Sequence, residues 1–107
     1  TDPVSIPQAI ESTIATLTAE ISQAIHSEVM AIIKSRCVGC HSVTPTFPGF
    51  SPAPLGIRYD TSSQVRADAS RIHTNVVKTQ FMPYGNFTNM TDAERAVIDA
   101  WFKMGAP

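Results

Sequence analysis

The N-terminal part of the chain carries one apolar stripe at helical spacing. From Ile10 to Ala24, apolar residues recur in steps of three and four, and Ser, Thr, Glu and Gln fill most of the other positions. This spacing places the apolar side chains on one face of an α-helix. The pattern predicts a helix over roughly 8–24, and Pro7 suits its first turn.

A second helix is predicted over roughly 27–36, with Ser27 as a candidate N-cap. The break near His26 is not required, because one continuous helix also satisfies the pattern. Residues 1–26 are therefore interpreted as a helical N-terminal extension, and residues 27–107 as the main domain. The extension is expected to pack on that domain, with a dimer seam or a docking helix as the alternatives.

A stretch rich in proline and glycine separates these helices from the rest of the chain. It runs from His41 to Asp60, and its spaced prolines and glycines exclude a regular helix or a central strand. Structureless loops of this length are uncommon in compact domains. We therefore expect the loop to wrap around another group.

Two capping boxes mark the starts of later helices. Thr61-Ser62-Ser63-Gln64 opens a helical stripe that runs to about Lys78. Thr91-Asp92-Ala93-Glu94 opens a last helix, which Gly105 is placed to end. A loop over 79–90 lies between them. The sequence has no alternating strand pattern, so the predicted fold class is all-α.

Size and charge narrow the possible functions. A chain of 107 residues forms one small domain with a thin core, which a bound cofactor would stabilise. The net charge is −1, and the basic residues do not cluster, so nucleic acid is not an expected partner.

No apolar run reaches about 18 residues, which predicts a soluble chain. Because it begins without Met, we expect a removed signal segment or a domain cut from a longer protein.

The chemistry-bearing motif is Cys37-Val38-Gly39-Cys40-His41, which contains the only two cysteines of the chain. This spacing is typical of covalent c-type haem attachment. Both thiols would add to the vinyl groups of one haem as thioethers. His41 would then place an imidazole nitrogen on the iron.

Other uses of two closely spaced cysteines fit less well. A structural zinc site needs four ligands, and no second Cys pair or matching His pair completes one. A thioredoxin-like redox pair expects a preceding strand in a βαβ unit. A plain disulfide does not account for His41. Haem attachment is therefore the favoured interpretation.

The second axial ligand of the iron is predicted to be Met82. It precedes Pro83 in the loop between the capped helices, and the proline restricts its backbone towards an extended shape. Met90 is the main rival. Met30 and Met104 are expected to pack in the core, and His73 to form a hydrogen bond or to lie at the surface. His26 lies close before the attachment motif, on the side of the chain already committed to the proximal face.

Several residues are predicted to complete the haem pocket. Every aromatic residue lies from Phe47 onward, and these side chains are expected to line the crevice. The second ring nitrogen of His41 should donate to a backbone carbonyl of the proline-rich loop, at Pro52 or Pro54. The candidate donors to the haem propionates are Arg58, Tyr59 and Trp101.

His/Met ligation predicts one-electron transfer, because no open iron position remains for a substrate. The chain is therefore expected to act as an electron-transfer domain with redox proteins as partners, and not as an enzyme. Two alternatives stay open. In a peroxidase-type haem enzyme Met82 would dissociate, and in a haem-based sensor the 8–24 segment would transmit a change of ligation. The oligomeric state is not predicted.

Several stretches of the chain match a known pattern, and they are Cys37-Val38-Gly39-Cys40-His41, Pro45-Thr46, Pro48-Gly49-Phe50, Arg71-Ile72-His73, Met82-Pro83-Tyr84-Gly85-Asn86, Met90-Thr91-Asp92-Ala93-Glu94-Arg95 and Gly105-Ala106. With them, residues 37–107 resemble a class I cytochrome c, and about 27–107 resemble the cytochrome domain of the membrane-anchored bacterial urate oxidases. The resemblance implies a haem-centred all-α fold, here with an extra N-terminal helix. It also implies a periplasmic role in purine degradation, passing electrons from urate oxidation by a membrane domain to the respiratory chain. A free-standing periplasmic carrier serving another enzyme is the alternative, since the sequence contains no stretch that matches the membrane domain.

Overall fold

The longest element is helix α1, which runs without interruption over Ile6–Arg36. The computed structural model describes residues 6–42, 44–46, 49 and 53–107. The predicted break near His26 is wrong, and the continuous helix is the arrangement observed. Neither Pro nor Gly occurs between residues 8 and 36, so no residue there interrupts the backbone hydrogen bonds.

The two halves of α1 have different surroundings. In the C-terminal half, Val29, Ile32 and Ile33 are buried in the core. In the N-terminal half, the predicted stripe is exposed to solvent, with Ile14 at 57% and Ile21 at 56%. The expectation that this extension packs on the main domain is therefore wrong. The uninterrupted helix carries the stripe beyond the apolar core, and the molecule measures 68 Å along its longest axis against 25 and 18 Å along the others.

The helical region predicted to run from residue 61 to about 78 is divided into short pieces. Helix α2 covers Ser62–Ala67, helix α3 covers Ala69–His73, and a π-helical turn covers Thr74–Lys78. The first of these starts at the predicted capping box, in which Thr61 and Gln64 exchange side-chain and backbone hydrogen bonds.

The last helix, α4, covers Asp92–Lys103 and starts at the second predicted capping box. The chain leaves it through Gly105, whose φ of +91° is readily adopted only by glycine. α4 packs against α1, and its Ile98 and Trp101 are completely buried.

One apolar cluster holds these helices together. It combines the C-terminal half of α1 with inward residues of α3, α4 and the loops. The described residues contain no strand, so the fold class is all-α as predicted. Among the described helices, none is long and apolar enough to cross a bilayer. The cluster contains Val29, Ile32, Ile33, Tyr59, Val65, Ala69, Ile72, Val76, Met90, Ile98 and Trp101.

A matched pair of isoleucine substitutions tests the two environments of α1. Ile33→Ala removes a fully buried side chain and should lower the free energy of unfolding by about 2–5 kcal/mol. Ile14→Ala makes the same chemical change at an exposed position and should alter it by less than about 0.5 kcal/mol. Urea unfolding followed by circular dichroism measures both. A loss at Ile14 as large as that at Ile33 would mean that another surface covers the stripe in solution.

Candidate functional site

The Cys-x-x-Cys-His motif forms a helical turn directly after α1. The backbone N–H of Cys37 donates to the carbonyl of Ile33 at 2.9 Å, which continues the helix. The carbonyl of Cys37 then accepts from the N–H groups of Cys40 and His41, at 3.2 and 2.8 Å. Both thiols and the imidazole therefore leave the backbone within one turn.

His41 is held by the end of the proline-rich loop. Its ring Nδ1 lies 2.9 Å from the carbonyl oxygen of Ile57. A carbonyl can only accept, so Nδ1 carries the hydrogen, and in the neutral ring Nε2 then keeps the lone pair. The carbonyl of His41 in turn accepts from the N–H of Tyr59 at 2.8 Å. The loop therefore fixes both the ring tautomer and the backbone of His41.

The acceptor for His41 is a backbone carbonyl of the loop, as predicted, but it belongs to Ile57. The carbonyl of Pro54 is already used, because it accepts from the N–H of Ile57 at 3.0 Å. That bond closes the 3₁₀ turn Pro54–Gly56, after which the chain returns to His41. The other predicted position, Pro52, lies outside the described residues.

The three predicted propionate donors differ in availability. The hydroxyl of Tyr59 donates to the carboxylate of Asp68, and burial raises the pKa of Tyr59. The indole N–H of Trp101 donates to the backbone oxygen of Pro107 at 2.9 Å. Arg58 is exposed and has no polar partner among the described residues. Only Arg58 therefore keeps its donors uncommitted in this arrangement.

The two cysteines are not joined by a disulfide. Burial raises the pKa of the Cys37 thiol to about 12, and the nearby thiol of Cys40 and carboxylate of Glu94 add to the effect. Burial also raises the pKa of Cys40. A thiol–disulfide redox pair works through a lowered thiol pKa. The raised pKa of both thiols therefore disfavours a thioredoxin-like redox role for these cysteines. In the described residues, no three His, Cys, Asp or Glu side chains are grouped to hold a metal ion.

Met82 lies at the edge of the apolar cluster, against which its partly buried side chain packs. Its backbone N–H donates to the carbonyl of Asn75 at 2.9 Å, and its peptide bond to Pro83 is cis. Met90 is only 4% exposed and belongs to the cluster itself. The side-chain amide of Asn86 binds both its N–H and its carbonyl. Of the two methionines, Met82 is the less committed to packing.

The two remaining histidines already have partners. The Nε2 atom of His73 lies 2.8 Å from a carboxylate oxygen of Asp99. The Nδ1 and Nε2 atoms of His26 lie 3.1 Å from the backbone oxygen of Pro107 and 3.2 Å from the hydroxyl of Ser62. The contact of His73 agrees with the hydrogen-bonding or surface role expected for it from the sequence.

The two remaining methionines differ from each other. Met30 is partly buried against the cluster, as expected for a packing residue. Met104 follows the last residue of α4 and is 44% exposed. The packing role expected for Met104 is therefore not observed.

Arg36 joins the end of α1 to the loop over residues 79–90, named the distal loop below, and the sequence pattern did not predict this role. Its Nε lies 3.2 and 3.3 Å from the two carboxylate oxygens of Glu94, and its Nη1 donates to the carbonyl of Thr88. The hydroxyl of Thr88 donates back to the carbonyl of Arg36 at 2.9 Å. The backbone of Thr91 and the guanidinium of Arg36 lower the pKa of Glu94. The capping box was the only sequence signal at this site.

Comparisons with known protein families, with characterised proteins and with solved structures gave no significant match. The functional assignment therefore depends on the motif and on the geometry described above.

Alkylation of protein made without haem tests the environment of the thiols. At pH 8 iodoacetamide should modify Cys40 well before Cys37, because burial holds the Cys37 pKa near 12 and leaves little thiolate. Mass spectrometry of the digested protein gives the two rates. The Cys37→Ser and Cys40→Ser variants identify each site separately. Equal rates at the two cysteines would contradict the buried position of Cys37.

Proposed function

We propose that this chain is a one-electron carrier of the class I cytochrome c type. One haem c would be joined to Cys37 and Cys40, and His41 and Met82 would ligate its iron. The observation that carries the proposal is the hydrogen bond made by the imidazole ring of His41. Its Nδ1 donates to Ile57, so in the neutral ring Nε2 keeps the lone pair that a metal requires, one helical turn from two free thiols.

The residues present fit such a group. When bound, the haem supplies an iron centre that gains and loses one electron. Cys37 and Cys40 would hold its edge, and the Ile57 carbonyl would orient the His41 imidazole. The apolar cluster that contacts Cys37 and Met82 would limit the access of water, which is a main influence on reduction potential.

Electron transfer is favoured over catalysis at the iron because two side chains, those of His41 and Met82, would ligate it. The backbone of Met82 is hydrogen-bonded on both its N–H and its carbonyl, which limits how far its thioether can move away. A haem with both axial positions filled has no site for a substrate. The peroxidase-type alternative would need Met82 to leave. The sensor alternative would need the N-terminal half of α1 to respond to ligation.

The physiological partner is proposed from the resemblance of residues 27–107 to the cytochrome domain of the membrane-anchored urate oxidases. Electrons would pass from urate oxidation by a fused or associated membrane domain, through this domain in the periplasm, to the respiratory chain. A free-standing periplasmic carrier for another enzyme is the second candidate. The full-length reading frame distinguishes them, because a multi-span segment upstream of Thr1 supports the first and a cleavable signal peptide supports the second.

Covalent haem attachment is tested by expression with the cytochrome c maturation machinery. The wild-type chain should keep its haem in a denaturing gel and in acidified solvent, because thioether bonds survive both treatments. Cys37→Ala and Cys40→Ala should each weaken attachment, and the double variant should abolish it. Ser42→Ala, next to the motif, is the control and should keep the haem. A wild-type protein that remains colourless would refute the proposal.

The distal ligand is tested by the far-red absorption band of ferric haem with a methionine ligand. The band should disappear in Met82→Ala and persist in Met90→Ala, and the reverse result would make Met90 the ligand. Carbon monoxide should bind slowly to the ferrous wild-type protein and rapidly to Met82→Ala. Rapid binding to the wild type at neutral pH would favour the haem-enzyme alternative.

A further inference from the structure

Arg95 is a buried cation on the inward face of α4. Its side chain is only 7% exposed, and it lies one turn before the fully buried Ile98. Among the described residues, no carboxylate lies within ion-pair distance of its guanidinium. Burying a guanidinium is costly unless its donors are hydrogen-bonded. The groups that accept its hydrogen bonds therefore explain why it can be there.

Those groups are two backbone carbonyls that belong to the distal loop and the turn before it. The Nη1 atom of Arg95 lies 2.6 Å from the carbonyl oxygen of Val76 and 2.9 Å from that of Met82. Val76 is in the π-helical turn Thr74–Lys78, near its C-terminal end, where carbonyls lack partners within the helix. One nitrogen thus joins the end of this turn to the predicted ligand residue.

Met82 is consequently held on both sides of its Cα atom. Its N–H donates to the carbonyl of Asn75, and its carbonyl accepts from Arg95. Asn75 and Val76 are adjacent in the same π-helical turn, so both bonds connect Met82 to one short segment. The Cα atom of Met82, from which the thioether side chain extends, is therefore held in place relative to that turn and to α4.

We infer that Arg95 is the positioning residue for the Met82 ligand, holding the backbone from which the thioether would reach the iron. The inference rests on the proposed function. It predicts that Arg95 makes the iron–methionine bond harder for a competing ligand to displace. Arg95 itself would touch neither the iron nor an electron-transfer partner.

Imidazole competition on the ferric holoprotein tests this role. Arg95→Met removes both hydrogen bonds and keeps a long apolar stem, so imidazole should displace Met82 at a concentration lower by roughly tenfold. Arg95→Lys keeps a charge but lacks the planar fork of donors, and should give a smaller change in the same direction. Arg66→Met removes an exposed arginine from α2 and is the control, with wild-type affinity expected.

A second measurement uses the haem-free chain and separates positioning from general stability. In Arg95→Met, the amide of Met82 should exchange with deuterium faster than in the wild type, while Val29 and Ile33 in α1 keep their protection. Loss of protection in α1 as well would show a general structural role and overturn the inference.

The possible failures can be told apart. Wild-type imidazole affinity in Arg95→Met overturns the inference, even if the holoprotein is His/Met-ligated. Should Arg95→Met not fold, wild-type affinity in Arg95→Lys overturns it in the same way. A wild-type chain that binds no haem refutes the proposed function instead, and the exchange measurement on the haem-free chain still tests whether Arg95 holds Met82.

Discussion

The hydrogen bond between His41 Nδ1 and the carbonyl of Ile57 determines which imidazole nitrogen can bind a metal. It depends on two local features that meet in space. One is the turn that extends α1 and carries the cysteines and the histidine. The other is the 3₁₀ turn Pro54–Gly56, in which the carbonyl of Pro54 accepts from the N–H of Ile57. This turn places the carbonyl of Ile57 beside the ring of His41. Loss of either turn would leave the ring free to rotate and to change tautomer.

Polar contacts connect the two halves of the candidate site across a thin apolar core. Arg36 joins the end of α1 to Thr88 and to the first turn of α4. Arg95, one position after the Glu94 that Arg36 contacts, reaches the opposite way to the backbone of Met82. Two adjacent residues of α4 therefore bind different parts of the chain, since Glu94 contacts the end of α1 and Arg95 contacts the distal loop. α4 thus contacts both the end of α1, which leads into the Cys37–His41 turn, and the backbone of Met82.

The exposed N-terminal half of α1 is the part of the chain that this core does not explain. Its stripe of Ile and Leu has the spacing of a buried helix face, yet the described residues cover none of it. Contiguous apolar surface of this kind commonly marks an interaction site. A dimer seam and a docking helix are both consistent with it. Nothing in the charges of this half favours either, since Glu11 and Glu20 are its only charged residues.

Local sequence is sufficient to predict the features that depend on neighbouring residues. Both capping boxes, the glycine that ends α4, the all-α class and the Cys-x-x-Cys-His turn follow from local spacing, because their hydrogen bonds link positions three to five residues apart. The sequence also predicts a helix after Pro7, because residues 8–36 contain neither Pro nor Gly, although its pattern allowed a break near His26 that α1 does not have. The haem and its ligands remain predictions from the same local pattern.

The contacts between residues far apart in the chain depend on the packing of the whole fold. The partner of His41 lies 16 residues away and that of Arg36 lies 58 residues away, and no local pattern specifies either pairing. Arg95 gave one signal, a charge on the apolar face of α4 in step with Ile98, but its acceptors are backbone carbonyls that any sequence would supply. The exposure of the α1 stripe was equally undetermined. Periodicity states which face of a helix is apolar, whereas packing decides whether any surface covers it.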